Sequence, residues 1–372
     1  MAARVCDDAS CNAGRPAGRP WIRANAAPGV MRVVRISEAD DAGRCDAYLA
    51  PRAHAVTDLP AWRRVVGDAC GLRAHVLAAL ETETIVGLLS LFEIRHPVFG
   101  HYLCTAPFGN DGGLHFDDDR ARDALVAEAR SLTDALDAEY LVIRTRGLDL
   151  DGFRVDHRYA TAVVDLSGGA SQLWDATLPA KTRNQIRRGM KEGFSVDVGH
   201  AQAGALHDVL HAHMRDLGSP AHGMRFYESI IEHVGDAAEF IVVRDGRKLA
   251  AGALLFRVNG VAMNLHTVAL RKYNPRCPNY LIYWRMIEDS CASGCRLFDM
   301  GRSIAHGPSV DFKRNWGPEI VPLSYNYFLR TAKEVPHVDP RNPKYRLAIA
   351  AWRRLPLFVT TRLGPRLISG LA

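Results

Sequence analysis

A mixed α+β sheet fold, built twice, is the architecture this chain predicts. Three observations carry the prediction. At 372 residues the chain is too long for one compact core and suits two. A set order of helix, hairpin, loop, helix and strand runs through the first half and then again through the second. The strand-like runs pair as hairpins between helices, which favours a mixed sheet over a doubly wound parallel one.

In the first half, Met31–Ile36 opens the patterned sequence, and Met31 is an alternative start to Met1. Residues 1–30 are Ala-, Gly-, Pro- and Arg-rich without periodicity, so they are expected to be disordered. A helix begins at Leu59-Pro60, with proline tolerated in the first turn. His75–Leu80 and Ile85–Phe92, joined by Glu81-Thr82-Glu83-Thr84, read as a hairpin. A Gly-rich loop at 108–113, a helix near Asp119–Asp137 and a strand at Tyr140–Arg144 complete the unit.

The second half repeats it with helix Arg225–Val234, strands Glu239–Val243 and Leu249–Phe256 about an Asp245-Gly246 turn, and strand Val261–Val268. A helix over Asn279–Ser293 follows, with Asn279 as its expected N-cap. The predicted divisions are 1–30 (extension), 31–165, 166–335 (carrying the site) and 336–372 (a basic amphipathic tail).

Composition narrows the function classes. Hydrophobic content of 48% and charged content of 24% are ordinary for a globular protein. The net charge is +6, yet from Arg330 onward nine basic residues face two acidic ones, a net of +7. The rest is near neutral, which argues against a protein that coats nucleic acid. Eight cysteines form no C-x-x-C pair and no zinc spacing, so no metal is expected. Free thiols without a secretory signal point to the cytoplasm.

Chemistry concentrates between Cys291 and Gly317. Arg296–Met300 reads as a short buried strand ending at Gly301, followed by a polar loop with Arg302, Ser303, Asp311, Lys313 and Trp316. A carboxylate, Asp299, and a guanidinium, Arg302, at a strand end are a common way to build a site, and equally a structural pair that caps a loop. Between the halves, Ala180–Gly193 places Lys181, Arg183, Arg187, Arg188 and Lys191 on one short helix. Such a face is either solvated or a cradle for a phosphate-rich ligand.

Four ordered motifs add a resemblance. They are Leu178–Gly193, Tyr273–Trp284, Phe298–Ser303 with Asp311–Gly317, and Asn342–Arg346. Over Leu59 to the C-terminus the chain resembles the FemAB-like branch of the GNAT acyltransferase superfamily, most of all the exosortase (PEP-CTERM)-associated FemAB proteins. The resemblance implies two tandem GNAT-like domains (the acyl-CoA N-acyltransferase fold). It also implies transfer of an acyl or aminoacyl group to an amine, with Lys313 steadying the oxyanion.

Aminolysis needs a neutral amine and a fixed positive donor where the carbonyl oxygen gains charge. Lys313 suits the second role; a surface ion pair with Asp311 or Glu319 is the alternative. Asp299, Asp311 and His266 are candidate bases, with Asp299 best placed and His266 alternatively a hydrogen-bonded core residue. Arg302 orients Asp299 or holds an anion. Asn279, Tyr280, Ser303 and Trp316 are expected to shape the substrate pocket. Arg271, Lys272 and Arg276, with Lys181, Arg183 and Arg187, are expected to bind donor phosphates.

The donor that the resemblance implies is acyl-CoA or aminoacyl-tRNA. The turn Arg271–Asn279 lacks the glycines GNAT enzymes use to approach the pyrophosphate, which weakens the case for coenzyme A. The resemblance implies as acceptor an amine of a cell-envelope or exopolysaccharide precursor, such as a lipid-linked glycan. The tail 344–372 interleaves arginine with Leu, Ile, Trp and Phe and either lies on an anionic membrane, at the inner face, or packs back on the second half. Two other functions stay open: a catalytically silent membrane-associated adaptor, and a tRNA-dependent peptidoglycan-type transferase.

Overall fold

A computed structural model describes residues 31–36, 42–336 and 343–372. The expected disorder of residues 1–30, and Asn342 of the last motif, lie outside the described residues.

The first half contains β1 (Met31–Ile36), α1 (Ala42–Leu49), α2 (Pro60–Cys70), β2 (Arg73–Glu81), β3 (Thr84–His96), β4 (Gly100–Cys104), β5 (Leu114–Phe116), α3 (Asp119–Ala135), β6 (Tyr140–Arg146) and β7 (Arg154–Asp165). After α4 (Gly169–Gln172) come α5 (Ala180–Lys191), β8 (Ser195–Val198), α6 (Ala203–Leu217), α7 (Met224–His233), β9 (Ala238–Asp245), β10 (Lys248–Val258) and β11 (Val261–Ala269). Then follow α8 (Pro278–Ala292), β12 (Leu297–Ile304), α9 (Pro308–Arg314), β13 (Glu319–Leu329), α10 (Pro343–Arg354) and α11 (Leu357–Ile368).

One 13-stranded sheet runs through both halves in the order β1-β2-β3-β4-β6-β13-β7-β12-β11-β10-β9-β8, with β5 against β3. Its centre is an exchange. β7 leaves the first half to pair with β12, and β13 returns from the second to pair with β6. The two exchanged strands also pair with each other.

Strand alternation assigns the faces. Phe240 and Val242 of β9 and Phe92 and Ile94 of β3 point into one shared core with Trp62 of α2, Leu206 of α6 and Phe226 of α7. The residues between them point the other way. Ile241 and Val243 meet α8 and α5, while Leu89 and Leu91 meet α3. Helices thus cover both faces, and one apolar layer joins the halves.

Local chemistry starts and stops the elements. The Asp118 carboxylate caps α3 by accepting from the Ala121 N–H at 2.9 Å. α8 differs from expectation: its N-cap is Cys277 in the left-handed region (φ 59°), and Pro278 takes the first helical position. Asn279 therefore sits one residue inside, because a proline whose N–H is not needed fits the first turn best. The polar loop expected after Gly301 is also more ordered: Arg302 and Ser303 lie on β12, and Lys313 lies on α9.

Candidate active site

The site forms where two parallel strands part. β11 and β12 pair at Val261–Leu297, Ala262–Phe298 and Met263–Asp299, and the ladder ends there. Each strand also carries a bulge at this level, β11 against β10 beside Leu265 and β12 against β7 between Asp299 and Arg302. Bulges bend strands apart and re-aim side chains. A cavity of about 740 Å³ fills the opening, lined by Asn264, His266, Tyr283, Ser303, Lys313 and α6 residues among others. That is the size of an ordinary small-molecule site, about 300–1,000 Å³.

Lys313 reaches the cavity from α9 and is 5% exposed. Its Nζ donates to the Gly301 carbonyl oxygen at 2.5 Å and to the Arg302 carbonyl oxygen at 3.4 Å. Burial pulls the ammonium down to about 8; Asp299 opposes that shift and Arg302 adds to it. Phe312, Tyr280, Tyr283 and Trp316 form a ring cluster that anchors α9, with Tyr280 stacked on Trp316 at 6.0 Å. Trp316 and Tyr280 thus position Lys313 without lining the cavity.

His266 lines the cavity on β11 and makes no hydrogen bond among the described residues, contrary to the core-histidine alternative. Burial and the Arg302 cation push its imidazole down to about 4, so at neutral pH it is an uncharged nitrogen base. The buried Ser303 hydroxyl and the Asn279 Oδ1 line the same space without a partner among the described residues. Arg302 also lines it, donating to the Tyr325 hydroxyl at 2.7 Å and packing over the Tyr159 ring.

Asp299 requires a correction. It is 1% exposed and does not line the cavity. One oxygen accepts from Arg146 at 2.8 Å; the other accepts from the Gly301 N–H at 2.8 Å and from the Thr161 hydroxyl. A carboxylate so fully bonded cannot act as the base; it shapes the Gly301 turn that meets Lys313. Nor is Arg302 its partner. That role falls to Arg146 on β6, whose guanidinium also grips Asp111 through two bonds of 3.0 Å. His54 adds a contact to Asp111 at 3.1 Å. Asp311 is exposed and pairs with Arg314 at 3.0 Å, outside the cavity.

None of the six cations expected to hold phosphate lines the cavity. Arg276 is committed to Glu192 and Asp245, and Arg183 donates to the Trp174 and Leu178 carbonyl oxygens. Arg187 packs over Trp174. Lys181, Arg271 and Lys272 are exposed. Even so, α5 lies beside the start of α8: a Cβ at Gly189 would come within 2.9 Å of the Cys277 carbonyl oxygen. The N-terminus of α8 reaches the cavity through Asn279.

Tyr283 was expected as core or pocket wall and lines the cavity; Arg146, Thr161 and Asn264 were not anticipated. Asn264 was the findable one, a lone amide in the middle of a buried strand. Its Nδ2 donates to the Tyr283 hydroxyl at 3.2 Å and to the Met300 carbonyl oxygen at 3.3 Å. As for metals, the described residues bring Asp68, Glu232 and His233 together on the surface, where His233 already contacts Asp68 at 2.7 Å.

With this geometry in view, residues 180–314 match the family described as Acetyltransferase (GNAT) domain. No curated protein matches the chain in sequence. Among solved structures the fold is similar to FemX (TM-score 0.60, 12% identity, covering 85% of this chain and 99% of that one). It is also similar to a tandem GNAT protein from the clavulanic acid biosynthesis pathway (0.54, 14%, 82% and 100%). A third likeness is to the C-terminal domain of a putative lysylphosphatidylglycerol synthetase from Agrobacterium fabrum (0.51, 16%, 78% and 92%). At these identities the likeness is one of fold: two GNAT units in tandem.

Proposed function

We propose that the cavity between β11 and β12 transfers an acyl or aminoacyl group to an amine of a cell-envelope or exopolysaccharide precursor, a reading supported by the match of residues 180–314 to the acetyltransferase (GNAT) domain family and by the tandem GNAT fold. The observation that carries this reading is the presence, in one cavity, of a buried lysine ammonium and an uncharged histidine. The amine nitrogen attacks the acyl carbon, and the carbonyl oxygen gains charge beside Lys313. The C–N bond forms, the bond to the thiol or hydroxyl leaving group breaks, and the amine's proton passes through His266 to that leaving group. The ammonium is worth about 3–4 kcal/mol at the transition state in such a role.

The donor is a phosphate-bearing thioester or ester. The α8 N-terminus favours phosphate oxygens, and the cations of α5 lie beside it. With Arg276 and Arg183 committed elsewhere and Arg188 paired with Glu192 at 3.7 Å, the donor contacts fall to Lys181, Arg271 and Lys272. This placement also favours the second reading, an aminoacyl-tRNA donor laid along α5.

The test is amide formation from acyl-CoA and aminoacyl-tRNA donors with amino-sugar acceptors, comparing the natural protein with Lys313→Met. Transfer lost in a folded Lys313→Met variant supports the reading. Equal turnover by the two overturns it. The absence of transfer with any donor would favour a silent adaptor.

A further inference from the structure

Helices α10 and α11 present a surface that the transfer chemistry leaves unused. Residues 343–372 carry six basic side chains and no acidic one. Leu347 and Phe358 are 73% and 68% exposed, and Leu357 and Leu363 also face solvent. On α10 the exposed residues Leu347, Ala351 and Arg354 recur at helical spacing, as do Phe358, Arg362 and Arg366 on α11. Each helix thus offers a stripe that is both apolar and cationic.

The opposite sides of both helices are fixed to the protein. Ile349 packs on Gly218, Gly364 on Ala221, and Arg353 donates to the Leu217 carbonyl oxygen at 3.1 Å. This anchoring ends α6, whose Leu210, His213, Met214 and Leu217 line the cavity. The anchored side of α10 and the cavity rim therefore meet at Leu217, which is itself half exposed.

We infer that the α10–α11 face docks on an anionic lipid surface, and that the acceptor amine belongs to a membrane-anchored molecule entering the cavity past Leu217. The second clause rests on the transfer reading; the first does not. Charge complementarity and exposed aliphatic side chains together select lipid. A nucleic acid would use the arginines and leave Leu347, Leu357 and Leu363 in water. A second copy pairing through the same face would set arginine against arginine, with no acid in the segment to relieve it. No helix among the described residues is long and apolar enough to cross a membrane, so contact of this segment would be at the surface.

The experiment is sedimentation of the full chain with vesicles of phosphatidylcholine alone and with about one third phosphatidylglycerol, together with light scattering. Binding to the anionic vesicles is expected, weakened at least tenfold in Leu347→Ser/Phe358→Ser and about 25-fold in Arg354→Gln/Arg362→Gln, since each basic residue near such a surface contributes roughly fivefold. Transfer to a short water-soluble amine should be unchanged in both variants. Lys313→Met should do the reverse, keeping vesicle binding and losing transfer. No binding to anionic vesicles at low salt overturns the docking. So does equal binding by all variants, or a dimer that Leu347→Ser/Phe358→Ser disperses in place of vesicle binding. An active Lys313→Met would overturn the transfer reading alone.

Discussion

The two halves of the sheet contain the same construction, and it ends differently in each. In the first, β4 and β6 pair in parallel at Tyr102–Tyr140, Leu103–Leu141 and Cys104–Val142. In the second, β11 and β12 do so up to Met263–Asp299. One step past the ladder a polar side chain stitches the strands in both: the Thr105 hydroxyl accepts from the Arg144 N–H at 2.8 Å, and Asn264 reaches Met300. The next position on the far strand separates them. In the first half it is Arg144, whose buried guanidinium fills the opening by donating to the Ala106 and Ala372 carbonyl oxygens. In the second it is Gly301, with no side chain to fill anything. Its φ of 81° and the 2.5 Å between an added Cβ and the Asn264 carbonyl oxygen leave room for glycine alone. A fold used twice can thus keep one opening as a site and plug the other with its own chain.

Arg146 links the two halves, and its loss should have the largest effect. Arg146→Met would leave Asp111 and Asp299, both about 1% exposed, as buried carboxylates without their cation. Breaking such a pair costs about 3–5 kcal/mol, read as a fall in the midpoint of denaturant unfolding. The same network sets acid sensitivity. Burial alone would raise the Asp58 and Asp111 carboxyls, but their partners (His115 and His54 for Asp58, His54 and Arg146 for Asp111) outweigh it and hold both below the ordinary range. A depressed carboxyl stabilises the fold above its unfolded value, about 4, and that contribution disappears as pH falls through the folded value. Unfolding free energy should therefore drop below about pH 4, and Asp111→Asn should flatten the drop.

Next comes Lys313. Lys313→Met should lower the transfer rate about 10²–10³-fold with little change in thermal midpoint, because the methionine keeps the buried stem. In the natural protein, activity should fall as pH rises through about 8, where the ammonium loses its proton, and again as it drops through about 4, where His266 gains one. A profile flat from 6 to 10 would remove Lys313 from the chemistry. Gly301→Ala should follow at about 1–3 kcal/mol of lost stability, from forcing a side chain into the left-handed region against a carbonyl. By contrast, Gly147→Ala at the end of β6 (φ 66°) meets no neighbour within 4 Å and should cost only the backbone strain.

What could be read beforehand followed from local signals. Hydrophobic period and turn residues located most strands and helices, and the repeated order of elements exposed the duplication. Lys313 was legible from the polar loop after the strand, and His266 as one candidate base, although a lone histidine on a strand reads first as a core residue. The strand exchange was not, since nothing local distinguishes β7 pairing with β12 from β7 closing its own half. For the same reason Arg146 stayed hidden as the partner of Asp299. The two are 153 residues apart in sequence, and only the exchange brings them to 2.8 Å. Asp299 read as a base because a lone carboxylate at a strand end does not reveal how many donors surround it. The phosphate cations misled likewise: Arg276 and Arg183 carry the right charge, but nearby acids and carbonyls had already claimed them.

The smallest effects give the sharpest comparison between the halves. Thr105 and Ser303 are both buried hydroxyls beside an opening, and among the described residues only the first has a partner. Thr105→Val removes the acceptor of the Arg144 N–H and should cost about 1–3 kcal/mol, because a buried donor is left unsatisfied, with no change in transfer. Ser303→Ala removes a hydroxyl that already lacks a partner, so the thermal midpoint should hold or rise. Its cost should appear instead as a raised KM, if that hydroxyl waits for substrate. Should both variants lose stability alike and leave KM untouched, Ser303 would belong to the scaffold, and the second opening would resemble the first more closely than its empty volume suggests.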